Sequence, residues 1–125
     1  MPAGLPNGAC DTHVHVFDPA RHPYEAARTY TPGPASVQAL TRWQDGLGLA
    51  RTVLVQPSVY GTDNACLLAS LASLGPQRAR GIAVVDDEDD LRDAVVECAP
   101  DLALIDVRMP PSHTDEGLRA ALEIR

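Results

Sequence analysis

Short apolar runs alternate with stretches of helical periodicity along the whole chain. Runs of β-branched and aliphatic residues predict strands over residues 10–17, 51–56, 81–85 and 102–107. After each run, apolar residues recur every three or four positions, which predicts a helix that buries one face. The pattern therefore predicts four consecutive βα units.

Residues that favour helix ends lie between these segments. Ser36 precedes the first periodic stretch, and its hydroxyl is predicted to cap the helix. Gly46 and Gly48 are predicted to end that helix. Asp63 or Asn64 is predicted to cap the second helix, and Thr114 the last one. The helix boundaries thus agree with the periodicity.

Consecutive βα units predict a single α/β domain over residues 1–125, with a parallel sheet and right-handed crossovers. Four strands correspond either to half of a TIM barrel or to a truncated, flavodoxin-like open sheet. Both architectures bind ligands at the carboxyl ends of their strands. Both also leave edge strands unpaired, so we expect the protein to form a homo-oligomer.

The composition narrows the class of protein. With 45% hydrophobic residues in 125, the chain can bury a core of its own. No apolar run approaches the roughly 20 residues that span a bilayer, and residues 1–10 lack the pattern of a signal peptide. Cys10, Cys66 and Cys98 are widely spaced, which is typical of reduced thiols. We therefore expect a cytoplasmic protein without a membrane partner.

Charge is distributed unevenly along the sequence. The net charge of −7 argues against direct binding to nucleic acid. Residues 1–85 contain six arginines and five acidic residues, whereas residues 86–125 contain four arginines and twelve acidic residues. The chain contains no lysine. The shift near residue 85 indicates either two segments of different origin or one very acidic face.

The most specific candidate site is a histidine pair in the first predicted strand. His13 and His15 are two positions apart, so their side chains should lie on one face, together with Asp11. Imidazoles bind divalent metals such as Zn²⁺ or Mn²⁺, and a pair on one face can fill two coordination positions. Alternatively the pair has no chemistry in this chain, because catalytic zinc has three protein ligands.

Other polar residues follow the later predicted strands. Ser58 and Tyr60 follow the second strand and are candidate substrate-binding residues, although such residues also form ordinary turns. Asp86 and Asp87 follow the third strand, where acidic residues also favour the start of a helix. Asp106 lies at the end of the fourth strand. A parallel sheet would bring all of these residues to one edge.

Four blocks of the first 85 residues resemble the amidohydrolase superfamily, and within it the branch of lactonases that open 2-pyrone-4,6-dicarboxylate. The blocks are DTHVHVFDP (11–19), RTYTP (28–32), VLVQPSVYGTDN (53–64) and RGIAVVD (80–86). A His-x-His motif alone is weakly specific, but four blocks in order are much more so. The resemblance implies the first three βα units of a TIM barrel and hydrolysis of a lactone or carboxylate ester.

The resemblance also implies roles for individual residues. His13 and His15 match the first-strand pair, which binds a divalent metal in most members and polarises the substrate without metal in the lactonase branch. Tyr30 and Ser58 match positions that contact substrate carboxylates. The implied partner is a small-molecule carboxylate or lactone. The family's further ligands, a Lys or Glu, two His and an Asp from later strands, have no counterpart in this chain, so the site is expected to be incomplete.

The last 40 residues resemble a different family, the response-regulator receiver domains. The segments PDLALIDVRMPP (100–111) and HTDEGLRAA (113–121) carry this likeness. It implies that Asp106 is a phosphoacceptor that works with Mg²⁺. The lysine that pairs with the phosphoryl group in receivers is absent, and arginine is not equivalent to it. The two resemblances together predict a chimera, which either has one of these activities or folds with neither.

Overall fold

The computed structural model describes residues 4–86, 88–98 and 114–123. The chain divides into two compact units, Met1–Val84 and Val85–Arg125. The division falls where the charge of the sequence changes. The two units are described separately.

The first unit contains a three-stranded parallel sheet with two α-helices. Its strands are β1 (Cys10–Val14), β2 (Arg51–Val55) and β3 (Ala79–Ile82), and its helices are α1 (Val37–Leu47) and α2 (Ala65–Leu74). A 3₁₀ turn over Ser58–Tyr60 follows β2. The predicted α/β class with parallel strands is confirmed. The fourth predicted strand, 102–107, lies outside the described residues.

The strand order within this sheet distinguishes the two architectures that the sequence left open. The strands lie in the order β1-β2-β3, so each pairs with its neighbour in sequence. A flavodoxin-like sheet would instead place β1 between β2 and β3. Sequential order is that of consecutive strands in a barrel, and it favours the barrel alternative for the strands that the structure describes.

One face of the sheet packs against the helices. Leu54 and Val16 are buried there with Leu67 of α2. At Gly81 the strand comes so close to α2 that an added Cβ would lie 2.6 Å from Cδ1 of Leu71. These core residues occupy the face of the sheet that the helices cover. The residues that alternate with them along the chain therefore point to the opposite face of the sheet.

β1 contains an irregularity that sequence periodicity does not reveal. Asp11 pairs with Thr52, whereas Val14 pairs with Leu54, so two residues of β1 lie opposite one residue of β2. A β-bulge of this kind bends the strand and turns its side chains. The extra residue lies at Thr12 or His13, beside the candidate histidine pair. β1 ends at Val14, earlier than predicted.

The predicted helix caps are partly confirmed. Ser36 Oγ accepts a hydrogen bond from the Ala39 N–H at 3.1 Å, and Gly48 ends α1 with a left-handed φ of 77°. The helix continues through Gly46, so that expected stop is wrong. At α2, Asp63 Oδ1 accepts from the Ala65 N–H at 3.0 Å. β3 begins and ends before the predicted 81–85, at Ala79–Ile82.

The described part of the second unit is a pair of packed helices. These are α3 (Glu88–Cys98) and α4 (Glu116–Glu123). Arg92 Nη2 lies 2.6 Å from Glu123 Oε2, and Ala120 is fully buried. Asp115, rather than the predicted Thr114, immediately precedes α4. Among the described residues of either unit, no helix is long and apolar enough to cross a membrane.

Candidate active site at the carboxyl edge of the sheet

The two histidines lie side by side at the end of β1. Their ring centroids are 5.2 Å apart, and the rings are perpendicular, edge to face. His13 belongs to β1 and is exposed, whereas His15 follows the strand and is half-buried. The predicted placement on one side of the strand is therefore confirmed, at the end of the sheet where ligands bind in this class of fold.

A hydrogen bond that His15 donates to the neighbouring strand fixes the orientation of its ring. Its Nδ1 lies 2.8 Å from the carbonyl oxygen of Val55, the last residue of β2. A carbonyl oxygen only accepts, so Nδ1 must carry a proton. In the neutral ring, Nε2 then holds the lone pair and is the atom available to a proton, a metal or a substrate.

Asp11 does not complete a ligand set with the two imidazoles. Its Oδ1 accepts a hydrogen bond from the backbone N–H of His13 at 3.3 Å. Within residues 4–86, 88–98 and 114–123, no group of three or more His, Cys, Asp or Glu side chains could hold a metal ion. His13 and His15 fit two positions of a divalent site, and any further protein ligands would come from outside these ranges.

A long loop after β1 forms one side of this edge. It spans residues 18–34 and is closed at its base by two hydrogen bonds between Phe17 and Ala35. Tyr24 anchors the loop, since its ring packs 6.3 Å from Phe17 and 5.2 Å from Tyr60. The Glu25 N–H also donates to the Val59 carbonyl at 2.7 Å. The loop is thus docked on the turn that follows β2.

Tyr60 lies in the core beneath this contact. It is only 2% exposed, and its hydroxyl accepts a hydrogen bond from the Asp18 N–H at 2.9 Å. Burial is the main cause that raises the pKa of Tyr60 well above its usual range. The buried hydroxyl therefore fixes the start of the long loop, and a direct contact between Tyr60 and substrate stays a prediction.

Tyr30 and Ser58 lie on the two segments that meet at this edge. Tyr30 is 45% exposed on the long loop, and Ser58 is exposed at the start of the 3₁₀ turn. Both hydroxyl groups belong to residues that a ligand can reach. Their contact with substrate carboxylates remains a prediction from the family resemblance.

Two residues that organise this end of the sheet were not among the site candidates that the sequence indicated. Gln56 is buried, and its Nε2 donates to the carbonyls of Gly61 at 3.1 Å and Asp63 at 2.8 Å, which shapes the turn after β2. Asn64 pairs with both backbone groups of Val84, after β3. The available sequence signal for Gln56 was an amide side chain directly after the apolar run of β2. The carbonyls to which it donates lie in a loop, and the sequence does not reveal the course of that loop.

The structure does not place the remaining site candidates from the sequence with the histidine pair. Asp86 is exposed and follows β3 in the sequence, beyond the end of that strand at Ile82. Asp87 and Asp106 lie outside the described residues, as does most of the receiver-like segment. The structure therefore brings together the candidates from the first two strand ends.

Comparison with known proteins defines the class to which this sheet and histidine pair belong. The family model for amidohydrolases matches residues 10–123. The chain therefore belongs to the amidohydrolase family. The match includes most of the segment after residue 85, and the comparisons give no support to a receiver domain or a chimera.

Particular relatives place the chain near lactone hydrolases. It is 44% identical over 82 residues to a 2-pyrone-4,6-dicarboxylate hydrolase of Comamonas testosteroni, covering 65% of this chain and 27% of that protein. It is 33% identical over 118 residues to a 4-sulfomuconolactone hydrolase of Hydrogenophaga intermedia, covering 94% of this chain and 34% of the relative. The chain thus spans about a third of the length of these relatives.

A solved structure supports the same placement. The structure of a probable 2-pyrone-4,6-dicarboxylic acid hydrolase from Acinetobacter baumannii, with citric acid bound, aligns with a TM-score of 0.65 and 33% identity. The alignment covers 74% of this chain and 34% of that one. The three sequential strands accordingly correspond to part of a barrel-like amidohydrolase.

Proposed function

We propose that this protein takes part in the hydrolysis of a small lactone that carries carboxylate or similar anionic groups. The observation that carries the proposal is the edge-to-face pair of His13 and His15, with His15 held by the Val55 carbonyl. Relatives named as hydrolases of a pyrone dicarboxylate and of a sulfomuconolactone support this substrate class.

Lactone hydrolysis requires water to add to the carbonyl carbon and the ring C–O bond to break. His15 is suited to take a proton from the attacking water at Nε2, because its Nδ1–H is already bonded to the Val55 carbonyl. That bond keeps the ring oriented as it becomes positively charged. The same proton then passes to the ring oxygen as it leaves, so one water is consumed and a hydroxy acid forms.

His13 is suited to a different part of the reaction. Its exposed ring meets His15 edge to face, and an N–H of this ring can donate to the carbonyl oxygen of the lactone. Such a donor stabilises the negative charge that develops on that oxygen as water adds. Tyr30 and Ser58, on the adjoining segments, are proposed to donate hydroxyl hydrogen bonds to the anionic groups of the substrate.

In the alternative form of the site a divalent metal would bind at the same two rings, and Nε2 of His15 would then be a metal ligand instead of the base. Zn²⁺ or Mn²⁺ would be held by His13 and His15 with ligands from outside the described residues. When bound, such an ion polarises the lactone carbonyl as a Lewis acid. Metal content measured in wild type and in the His13→Ala/His15→Ala variant shows whether the pair contributes to binding.

A substrate panel tests the proposed function. The protein is incubated with 2-pyrone-4,6-dicarboxylate, its dimethyl ester and a simple unsubstituted lactone, and the ring-opened products are identified by mass spectrometry. We expect ring opening of the dicarboxylate in preference to the neutral compounds, and its loss in the His13→Ala/His15→Ala variant. Ring opening that is equal in the wild type and the double variant would rule the proposal out.

A further inference from the structure

Arg28, on the long loop after β1, is held by uncharged partners. Its Nη1 donates to the Glu25 carbonyl at 2.8 Å, and its Nε donates to Thr31 Oγ1 at 2.9 Å. Its Cζ also lies 5.8 Å from the centroid of the Tyr24 ring. The guanidinium is always protonated, so its full positive charge persists in this neutral setting.

No carboxylate in the described part of the chain forms an ion pair with Arg28. The two acidic residues of the same loop lie elsewhere. Asp18 is 3.8 Å from Arg21, and Glu25 Oε1 lies against Gly61, where an added Cβ would be 2.9 Å away. Among the described residues, Arg28 is therefore a cation without an ion-pair partner, in a chain whose net charge is −7.

The contacts of Arg28 hold the group in place and leave donors free for a ligand. A guanidinium has five N–H donors, of which these hydrogen bonds use two. The remaining three include both hydrogens of Nη2, and the residue is exposed. A planar group fixed in this way matches the two oxygens of a carboxylate with little further loss of side-chain freedom.

Arg28 also lies on the segment that borders the histidine pair. The Tyr24 ring beneath it packs against Phe17, whose ring centroid is 5.9 Å from that of His15. Tyr30 follows Arg28 by two positions on the same loop, and it is exposed as Arg28 is. In the described segments that follow the three strands, arginine occurs only at positions 21 and 28.

We propose that Arg28 binds a carboxylate group of the substrate, beside Tyr30. The proposal rests on the proposed function for the identity of the substrate. Arg21 cannot take this role equally well, because it already faces Asp18. Arg28 would then favour anionic lactones over neutral ones by pairing its free charge with theirs.

The test measures binding of citrate, a polycarboxylate that cannot be hydrolysed as a lactone, to the 125-residue chain. Its neutral trimethyl ester is the matched ligand control. The arginine Nε–Hε NMR signals are followed during titration in wild type, Arg28→Gln and Arg21→Gln. We expect citrate to shift the Arg28 signal saturably, and the ester to leave it unchanged. Charge-assisted hydrogen bonds predict that Arg28→Gln weakens citrate binding about tenfold or more, whereas Arg21→Gln changes it less than about twofold.

Either of two results would overturn the proposal: no shift of the Arg28 signal with citrate, or equal weakening in the two arginine variants. Thr31→Ala separates loop structure from charge, since it removes one contact and keeps the guanidinium. It should retain citrate binding, and loss of binding there as large as in Arg28→Gln would also count against Arg28. Lactone ring opening without a citrate effect at Arg28 would refute this inference and leave the proposed function standing. A citrate effect at Arg28 without ring opening would refute the proposed hydrolysis and leave Arg28 as a carboxylate-binding residue whose ligand is not a lactone substrate.

Discussion

At the scale of single residues, the structure separates groups that chemistry can use from groups that hold them in place. Sequence position alone put Ser58 and Tyr60 together after β2. In the fold, Ser58 is exposed, whereas the Tyr60 hydroxyl is buried and bonded to the Asp18 N–H. A periodic pattern locates a strand end, but it does not show which way a turn residue points, because that depends on the loop packed above it.

The Tyr60 hydroxyl should contribute measurably to stability. Tyr60→Phe leaves the Asp18 N–H without its partner, so we expect the free energy of unfolding to fall by about 1–2 kcal/mol in urea denaturation. Tyr30→Phe is the matched control, because its ring is 45% exposed, and its stability should be nearly unchanged. Equal stability of Tyr60→Phe and wild type would contradict the assigned role.

Tyr60 and Tyr24 should make the stability of the protein depend on pH in alkaline solution. Burial is the main cause that raises the pKa of both Tyr60 and Tyr24. The folded state therefore holds the phenolic protons more tightly than the unfolded state, and stability is lost as pH rises above about 10. Urea denaturation at stepped pH should show a shallower loss in Tyr60→Phe. Parallel curves for the two proteins would argue against this cause.

At the scale of elements, periodicity and capping signals predicted the β1-α1-β2-α2 succession well. Ser36 and Gly48 show why, since both act locally and their geometry follows from the residue type. The bulge between Asp11 and Val14 and the early start of β3 were missed, because strand pairing across the sheet determines both. The predicted placement of His13 and His15 on one side of β1 is nevertheless confirmed, because their rings remain in contact despite the bulge.

The contact of β3 with α2 gives a sharp prediction at this scale. Gly81→Ala would place a Cβ 2.6 Å from Leu71 Cδ1, so we expect the free energy of unfolding to fall by about 1–3 kcal/mol. Gly46→Ala in α1 meets nothing within 4 Å, and it should leave stability unchanged or raise it by up to about 1 kcal/mol. Thermal and urea unfolding of both variants measure the contrast. Similar losses in both would mean that β3 does not approach α2 this closely.

At the scale of the whole molecule, local sequence motifs indicated two protein families, whereas the comparisons with known proteins show only the amidohydrolase family. The likeness to receivers depended on a short segment around Asp106, whereas the amidohydrolase match covers residues 10–123. A strand followed by an acidic residue and a proline turn serves many α/β folds, so a segment of this length cannot define a family by itself. The four ordered blocks of the first 85 residues were the more reliable signal.

The outer strands of the sheet, β1 and β3, lead to a prediction about assembly. In the part of the chain that the structure describes, β1 and β3 each pair with β2 alone. Unpaired edges favour association, so we predict a dimer or larger assembly by light scattering at micromolar concentration. Ile82→Lys adds a charge at an exposed position of β3 and should shift the population towards monomer. A monomeric wild type would show that these edges do not drive association.

The rate of pyrone ring opening tests the central claim most directly, that the histidine pair performs hydrolysis. kcat/KM for 2-pyrone-4,6-dicarboxylate is measured from the loss of pyrone absorbance in wild type, His15→Ala and His22→Ala. His22 is an imidazole of the long loop outside the pair, so it controls for a general effect of losing a histidine. We predict that His15→Ala lowers kcat/KM by about a hundredfold or more, while His22→Ala stays close to wild type. Equal rates in His15→Ala and wild type would contradict the claim.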